Sequence, residues 1–198
     1  MSLLILLSDL ALDRLEIKVL KPMKRGLCSG MDTFCGWAKK AREGSKVYVC
    51  EENISCPLAT FKLGYGKPSG LEETLVGWGD AATIREAKLY LKNTVVIDRK
   101  VTFLLGRDLE NPDLIVYFGD PDEVMRLIRR YVSLTGERVA CRVSGIGAMC
   151  GELCAYPYMT NKPSLSVGCG GSRSRVFRKN EIAVSFPRDK VSSIELDD

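Results

Sequence analysis

Histidine is absent from the chain. This removes histidine-zinc sites, Cys-His nucleophile pairs, Ser-His-Asp triads and the usual proton shuttle near neutral pH, so acid-base work would fall on Asp, Glu, Lys, Tyr or Cys. No C-x-x-C occurs, which excludes the zinc-ribbon, thioredoxin and ferredoxin signatures. The P-loop pattern G-x-x-x-x-G-K-[ST] is missing, and no G-x-G-x-x-G follows a strand and opens a helix. Long apolar runs are scarce: "LLILL" (3–7) is broken by Ser8 and Asp9 and has no basic lead. It reads as neither signal peptide nor membrane span, and a cytoplasmic location is expected. Charge of one sign is lacking too. With 29 Lys and Arg against 25 Asp and Glu, the net charge of +4 is too mild for phosphate-backbone binding, so neither nucleic acid nor membrane is expected as a partner. Without a fixed-period repeat, a heptad or a long Pro/Gly/Ser linker, residues 1–198 read as one domain.

What the chain does contain is sulfur. A domain of 198 residues buries roughly 70% of its unfolded surface and needs no metal or disulfide staple to fold. Its eight cysteines, at 28, 35, 50, 56, 141, 150, 154 and 169, therefore need another explanation. In a reducing compartment they are expected to stay thiols, and such cysteines ligate metal or do redox chemistry more often than they pair.

Patterning places most of them. "LEIKVLK" (15–21) alternates as a strand; the following segment has Phe34, Ala38 and Ala41 at helical spacing, with Gly44 as its stop and Cys35 on the helix. Cys28 shares a face with Cys35 only if that helix begins early. "KVYVC" (46–50) reads as a strand, and "SCPLATFKLG" (55–64) as a helix capped at Cys56 with Pro57 first. Asp80 is the expected cap of a helix turning Ile84, Ala87 and Leu91 inward. "VTFLLG" (101–106) and "DLIVYFG" (113–119) are continuous apolar strands of the kind covered on both faces. The helix after Asp120 and Pro121 carries Val124, Leu127, Ile128, Tyr131 and Leu134 on one stripe up to Gly136. "RVACRVSG" (138–145) should be the next strand, pairing parallel to the one before that helix. "EIAVSFP" (181–187) and "RDKVSSIELDD" close the chain as strand and helix. The expected fold is α/β or α+β, a single domain with a mixed β-sheet covered by helices.

Cys56 at a helix N-terminus has free amides and a positive dipole end beside it, both of which favour thiolate. Cys150 and Cys154, four apart in "GAMCGELCAY", fall on one face of an α-helical turn. Cys50 and Cys141, among apolar neighbours on strand patterns, read as small core hydrophobes. In "SVGCGGSRSR" (166–175), Gly168, Gly170 and Gly171 surround Cys169 and lead into Arg173 and Arg175. Glycine-rich backbone followed by arginine can cradle an anion, with Gly168, Gly170, Gly171 and Arg173 as binding residues. The competing reading of the same stretch is a solvated basic hairpin.

Three stretches, "FCGWAKKAREGSKVYVCEENISCPLATFKLGYG", "PDLIVYFGDPDEVMRLI" and "PYMTNKPSLSVGCGGSR…NEIAVSFP", together resemble the uncharacterised prokaryotic family known as domain of unknown function 169, over about residues 15–195. The most specific pieces are "ISCP" (54–57) and "NKPSLSVGCGG" (161–171). The resemblance implies cysteines of the family pattern at Cys35, Cys56, Cys150 and Cys169. It also implies a second cysteine at the position of Ser172 in many relatives, a departure that removes C-x-x-C chemistry from this turn. No activity comes with it.

Three readings follow. In the first, Cys35, Cys56, Cys150 and Cys169 ligate an iron–sulfur cluster, or less readily zinc, with Cys154 as substitute or neighbour and a redox partner implied. The second is a non-catalytic, regulatory module for a small molecule or anion. Its pocket is lined by residues 168–175, Arg173, Tyr156 and Tyr158, with the sulfurs as packing. The third is an enzyme with Cys56 or Cys169 as nucleophile, activated by helix amides or a nearby cation.

Overall fold

Leu15 and Ile17 of "DRLEIKVL" point to one face of a strand and Glu16 to the other, and all three are buried, so this strand must be covered on both sides. The computed structural model describes residues 12–23, 28 and 30–195, which puts "LLILL" (3–7) and the last three residues of the stretch expected as a closing helix outside the described residues. In chain order come β1 (Asp13–Leu20), α1 (Phe34–Arg42), β2 (Val47–Val49), α2 (Pro57–Lys62), α3 (Leu71–Gly77), α4 (Ile84–Lys92), β3 (Thr102–Gly106), β4 (Leu114–Gly119), α5 (Pro121–Thr135), β5 (Ala140–Cys141), a π-helix (Ala148–Ala155), α6 (Tyr156–Thr160), β6 (Ser164–Ser166), α7 (Gly170–Arg173), β7 (Ile182–Pro187) and α8 (Arg188–Glu195). The strands form one mixed sheet in the order β2-β3-β1-β4-β7-β6-β5, an α+β arrangement.

The sheet separates two cores. In β4, Leu114, Val116 and Phe118 face a core shared with α1, α2 and the π-helix, while Ile115 and Tyr117 face a second one closed by Val124, Leu127 and Tyr131 of α5 and Val191 and Ile194 of α8. Every residue of β4 is buried, as its continuous apolar run requires. A third, smaller cluster joins Leu58 of α2 to Leu71 and Leu75 of α3 and Ala87 and Leu91 of α4.

The most strongly signalled helix forms as its sequence dictates. Asp120 caps α5 by accepting from the backbone N–H groups of Asp122 and Glu123, Glu123 reaches back to the Asp120 N–H, and Gly136 ends it in the left-handed region at φ 69°. Leu134, expected on the inward stripe, is exposed because it lies in the last turn, past the core.

Four expectations are corrected. Thr83, not Asp80, caps α4, its hydroxyl accepting the Arg85 N–H at 3.2 Å; the Asp80 N–H instead bonds Leu75 O at the end of α3. That helix, α3, had no signal: it opens on Gly70 with no capping side chain and spans only 7 residues. The strand expected at 138–145 shrinks to Ala140–Cys141 at the sheet edge, where Cys141 is exposed, not core. Its partner is β6, in the one parallel strand pairing among the described residues, because β7 and β6 stand between it and β4.

Candidate functional site

The first core opens toward a cavity of about 500 Å³ whose lining includes Cys35, Cys56, Cys150 and Cys169. Each sulfur arrives from a different element. The segments leading into α1 and α2 are stitched together: Asp32 N–H bonds Asn53 O at 3.1 Å, and Ser55 N–H bonds Asp32 O at 2.9 Å. Immediately beyond the stitch, Thr33 caps α1 by accepting from Gly36 N–H, and Cys35 follows in the first turn while Phe34 enters the core. On the other strand of the stitch, Cys56 takes the cap position of α2 with Pro57 behind it.

Cys150 comes from the π-helix, all eight residues of which are buried. Cys150 lines the cavity, whereas Cys154, fully buried beside it, packs in the core and does not reach the cavity. Cys169 is placed by Gly168, whose φ of 90° turns the chain before α7, and by Ser172, whose buried hydroxyl accepts the Cys169 N–H at 2.7 Å.

Burial governs the thiols. It pushes the Cys35 thiol well up, with the neighbouring sulfurs of Cys150, Cys169 and Cys56 adding to the effect. Cys150 is pushed up to about 12, also by burial first, with Lys62 pulling the other way. At Cys56 burial outweighs the amides of Ala59 and Leu58 that face its sulfur, so the expectation of a thiolate favoured by the helix end is reversed. The mutual influence of these four sulfurs marks them as neighbours. Even so, among the described residues no three Cys, Asp or Glu side chains are gathered closely enough to ligate a single metal ion.

The remaining candidates separate. Gly170 and Gly171 line the cavity, but Gly168 and Arg173 do not. Arg173 folds back over Phe177 and donates to Glu181 O at 2.5 Å and Lys179 O at 2.7 Å, closing its own loop. The arginine at the cavity is Arg175, which donates to the Thr33 hydroxyl at 2.6 Å and ties the α7 turn to the start of α1. Its signal was the same basic run, two residues further on. Tyr156 and Tyr158 lie elsewhere, Tyr156 beside Arg142 and Tyr158 against Arg99. Cys28 is off α1 altogether and sits at disulfide distance from Cys50, their Cα atoms 6.4 Å apart, so two of the expected free thiols are paired and Cys50 is only half-buried.

Asp80 and Trp78, on the loop after α3, complete the cavity mouth, and burial raises the Asp80 carboxyl above its usual range. Among the described residues no helix is long and apolar enough to cross a membrane.

No solved structure matches the chain. It is 33% identical over 170 residues to an uncharacterised protein of Methanocaldococcus jannaschii, an alignment covering 81% of this chain and 73% of the relative. The model of the uncharacterised ArCR family, domain of unknown function 169, matches residues 12–196. With nearly the whole described fold inside that match, the chain belongs to this family.

Proposed function

We propose that the cavity ringed by Cys35, Cys56, Cys150 and Cys169 holds a cysteine-ligated inorganic centre, an iron–sulfur cluster in preference to zinc. One observation carries the reading: four thiols from four separate elements line one cavity of about 500 Å³. Tetrahedral zinc with bonds of about 2.3 Å would require sulfurs within about 4 Å of one another. The four sulfurs are not gathered that tightly. A cluster interposes its own iron and sulfide between the thiolates, so a wider ring around a cavity suits it better. The donor set is all sulfur, the soft ligation such clusters take, and Arg175 adds a positive charge near thiolates that would carry negative ones.

This chain's residues would supply ligation and exclusion of water. Phe34, Leu58 and Trp78 wall the cavity with apolar surface, and the buried thiols hold their protons until a metal displaces them, so binding releases protons and strengthens as pH rises.

A second reading, a pocket for a small anionic molecule with the sulfurs as packing, is favoured by Arg175 standing beside that apolar wall. Purification without oxygen, followed by assay of iron, zinc and acid-labile sulfide, separates the two. Iron and sulfide retained by the wild type and by Cys154→Ser, and lost with Cys35→Ser, Cys56→Ser, Cys150→Ser or Cys169→Ser, is the expected result. A folded, colourless protein free of metal overturns the cluster.

A further inference from the structure

A second cavity, of about 260 Å³, lies on the far side of residues 144–152 from the thiols. Gly145, Ile146, Gly147 and Cys150 line the first cavity, and Ser144, Gly151 and Glu152 line the second. Two cations face it. Lys62, only 2% exposed, donates to Ile146 O at 3.2 Å and Gly147 O at 3.3 Å, both long bonds, and its ammonium lies 5.1 Å from the centre of the Tyr90 ring. Among the described residues, that leaves one of its three N–H donors without a hydrogen bond. Arg142 lies over the Tyr156 ring and, among the described residues, makes one hydrogen bond, to Asn93 O at 3.3 Å, which leaves most of its five donors open there.

Neither cation is paired with a carboxylate among the described residues. The acid in the cavity wall, Glu152, is 5% exposed and already loaded: Ser144 N–H and Ser144 hydroxyl reach one oxygen at 2.8 and 2.9 Å, and the Ser166 hydroxyl donates to the other. The chain even clears room for the lysine. A Cβ on Gly151 would stand 2.5 Å from Lys62 Nζ, and one on Gly147 2.6 Å from it. A buried ammonium without a counter-charge is costly unless something negative joins it.

We propose that this cavity is a binding site for a small oxyanion, a carboxylate or a phosphate group, held between Lys62 and Arg142 with Tyr90 and Tyr156 at its sides. Two cations against one hydrogen-bonded carboxylate leave the site net positive, and guanidinium plus ammonium is the donor set that oxyanions take. The volume restricts the occupant to a small molecule, below the range of about 300–1,000 Å³ usual for drug-sized ligands. The site stands whether or not the thiol cavity takes a metal. The 144–152 segment contributes lining residues to both cavities.

Titration of the full chain with sodium acetate, sodium benzoate and sodium phosphate, each against sodium chloride at equal ionic strength, tests it by thermal unfolding and by calorimetry. Saturable stabilisation by at least one of the three beyond chloride is expected, and which of them acts separates carboxylate from phosphate. Arg142→Ala, on an exposed side chain, should weaken that binding at least tenfold, and Lys62→Met should abolish it. Stabilisation no greater than that by chloride overturns the site. So does binding undiminished in Arg142→Ala, which decides the matter should Lys62→Met fail to fold.

Discussion

The Ser172 hydroxyl lies 3.3 Å from the sulfur of Cys169, and the same oxygen accepts the Cys169 backbone N–H at 2.7 Å. A fully buried side chain thus clamps the turn that delivers one of the four cavity thiols.

Ser172→Ala should lower stability by about 1–3 kcal/mol, because it removes the partner of a buried donor. A reduced urea midpoint at unchanged slope is the expected reading. Ser172→Cys should instead place a second sulfur against Cys169, and mild oxidation of that variant should join the two, seen by peptide mapping without reductant. Failure to join them would mean the side chain at 172 does not face the sulfur.

Acid stability should track one ion network. Arg42, buried, donates to Asp13 at 2.6 Å and to both oxygens of Glu181 at 3.0 Å. Burial opposes ionisation of both carboxyls, and the guanidinium more than reverses it, holding each below its usual range. A carboxyl depressed in the folded state stabilises above its unfolded value, about pH 4, and that contribution is lost as pH falls through the lowered one. Wild-type unfolding free energy should therefore drop below about pH 4. Arg42→Met should cost about 3–5 kcal/mol at neutral pH and flatten that drop.

The thiols work in the opposite direction. Burial raises Cys35, Cys56 and Cys150, the last to about 12, above the unfolded thiol value of about 8.5. Their contribution is complete below that unfolded value and is lost as pH rises past it, so the metal-free protein should weaken through the alkaline range. In the folded metal-free protein at neutral pH, iodoacetamide should label exposed Cys141 first and these three slowly. Fast labelling of Cys56 would restore the nucleophile reading.

Gly64 is fixed by both conformation and space. Its φ is 84°, and a Cβ there would stand 2.5 Å from Ile97 O and 2.8 Å from Arg99 O, backbone atoms that cannot swing aside. Gly64→Ala should destabilise by well over about 1 kcal/mol, measured by denaturant unfolding.

Much of the fold was legible along the chain. Asp120, Pro121 and Gly136 bound α5 because caps and stops act within a few residues, and the run Leu114–Gly119 announced a strand buried on both faces because burial leaves no polar alternation. Cys56 was located at its helix cap from Pro57 alone. Where local signals compete or vanish, reading stopped short: Asp80 resembled a cap, but Thr83 stood nearer the helix, and α3 carried no cap at all.

By itself the sequence determined the inventory: eight thiols, no histidine, glycines where the chain must turn, and element boundaries set by neighbours in the chain. Only the tertiary structure decided which sulfurs meet. The Asp32–Asn53 stitch joins the starts of two helices, and the Arg175–Thr33 bond joins residues 142 apart in the chain; such contacts depend on packing in three dimensions that no local spacing encodes. The same packing swung Arg173 away from the cavity, set Arg175 beside it, and left Lys62 buried at a second cavity whose existence no motif announced.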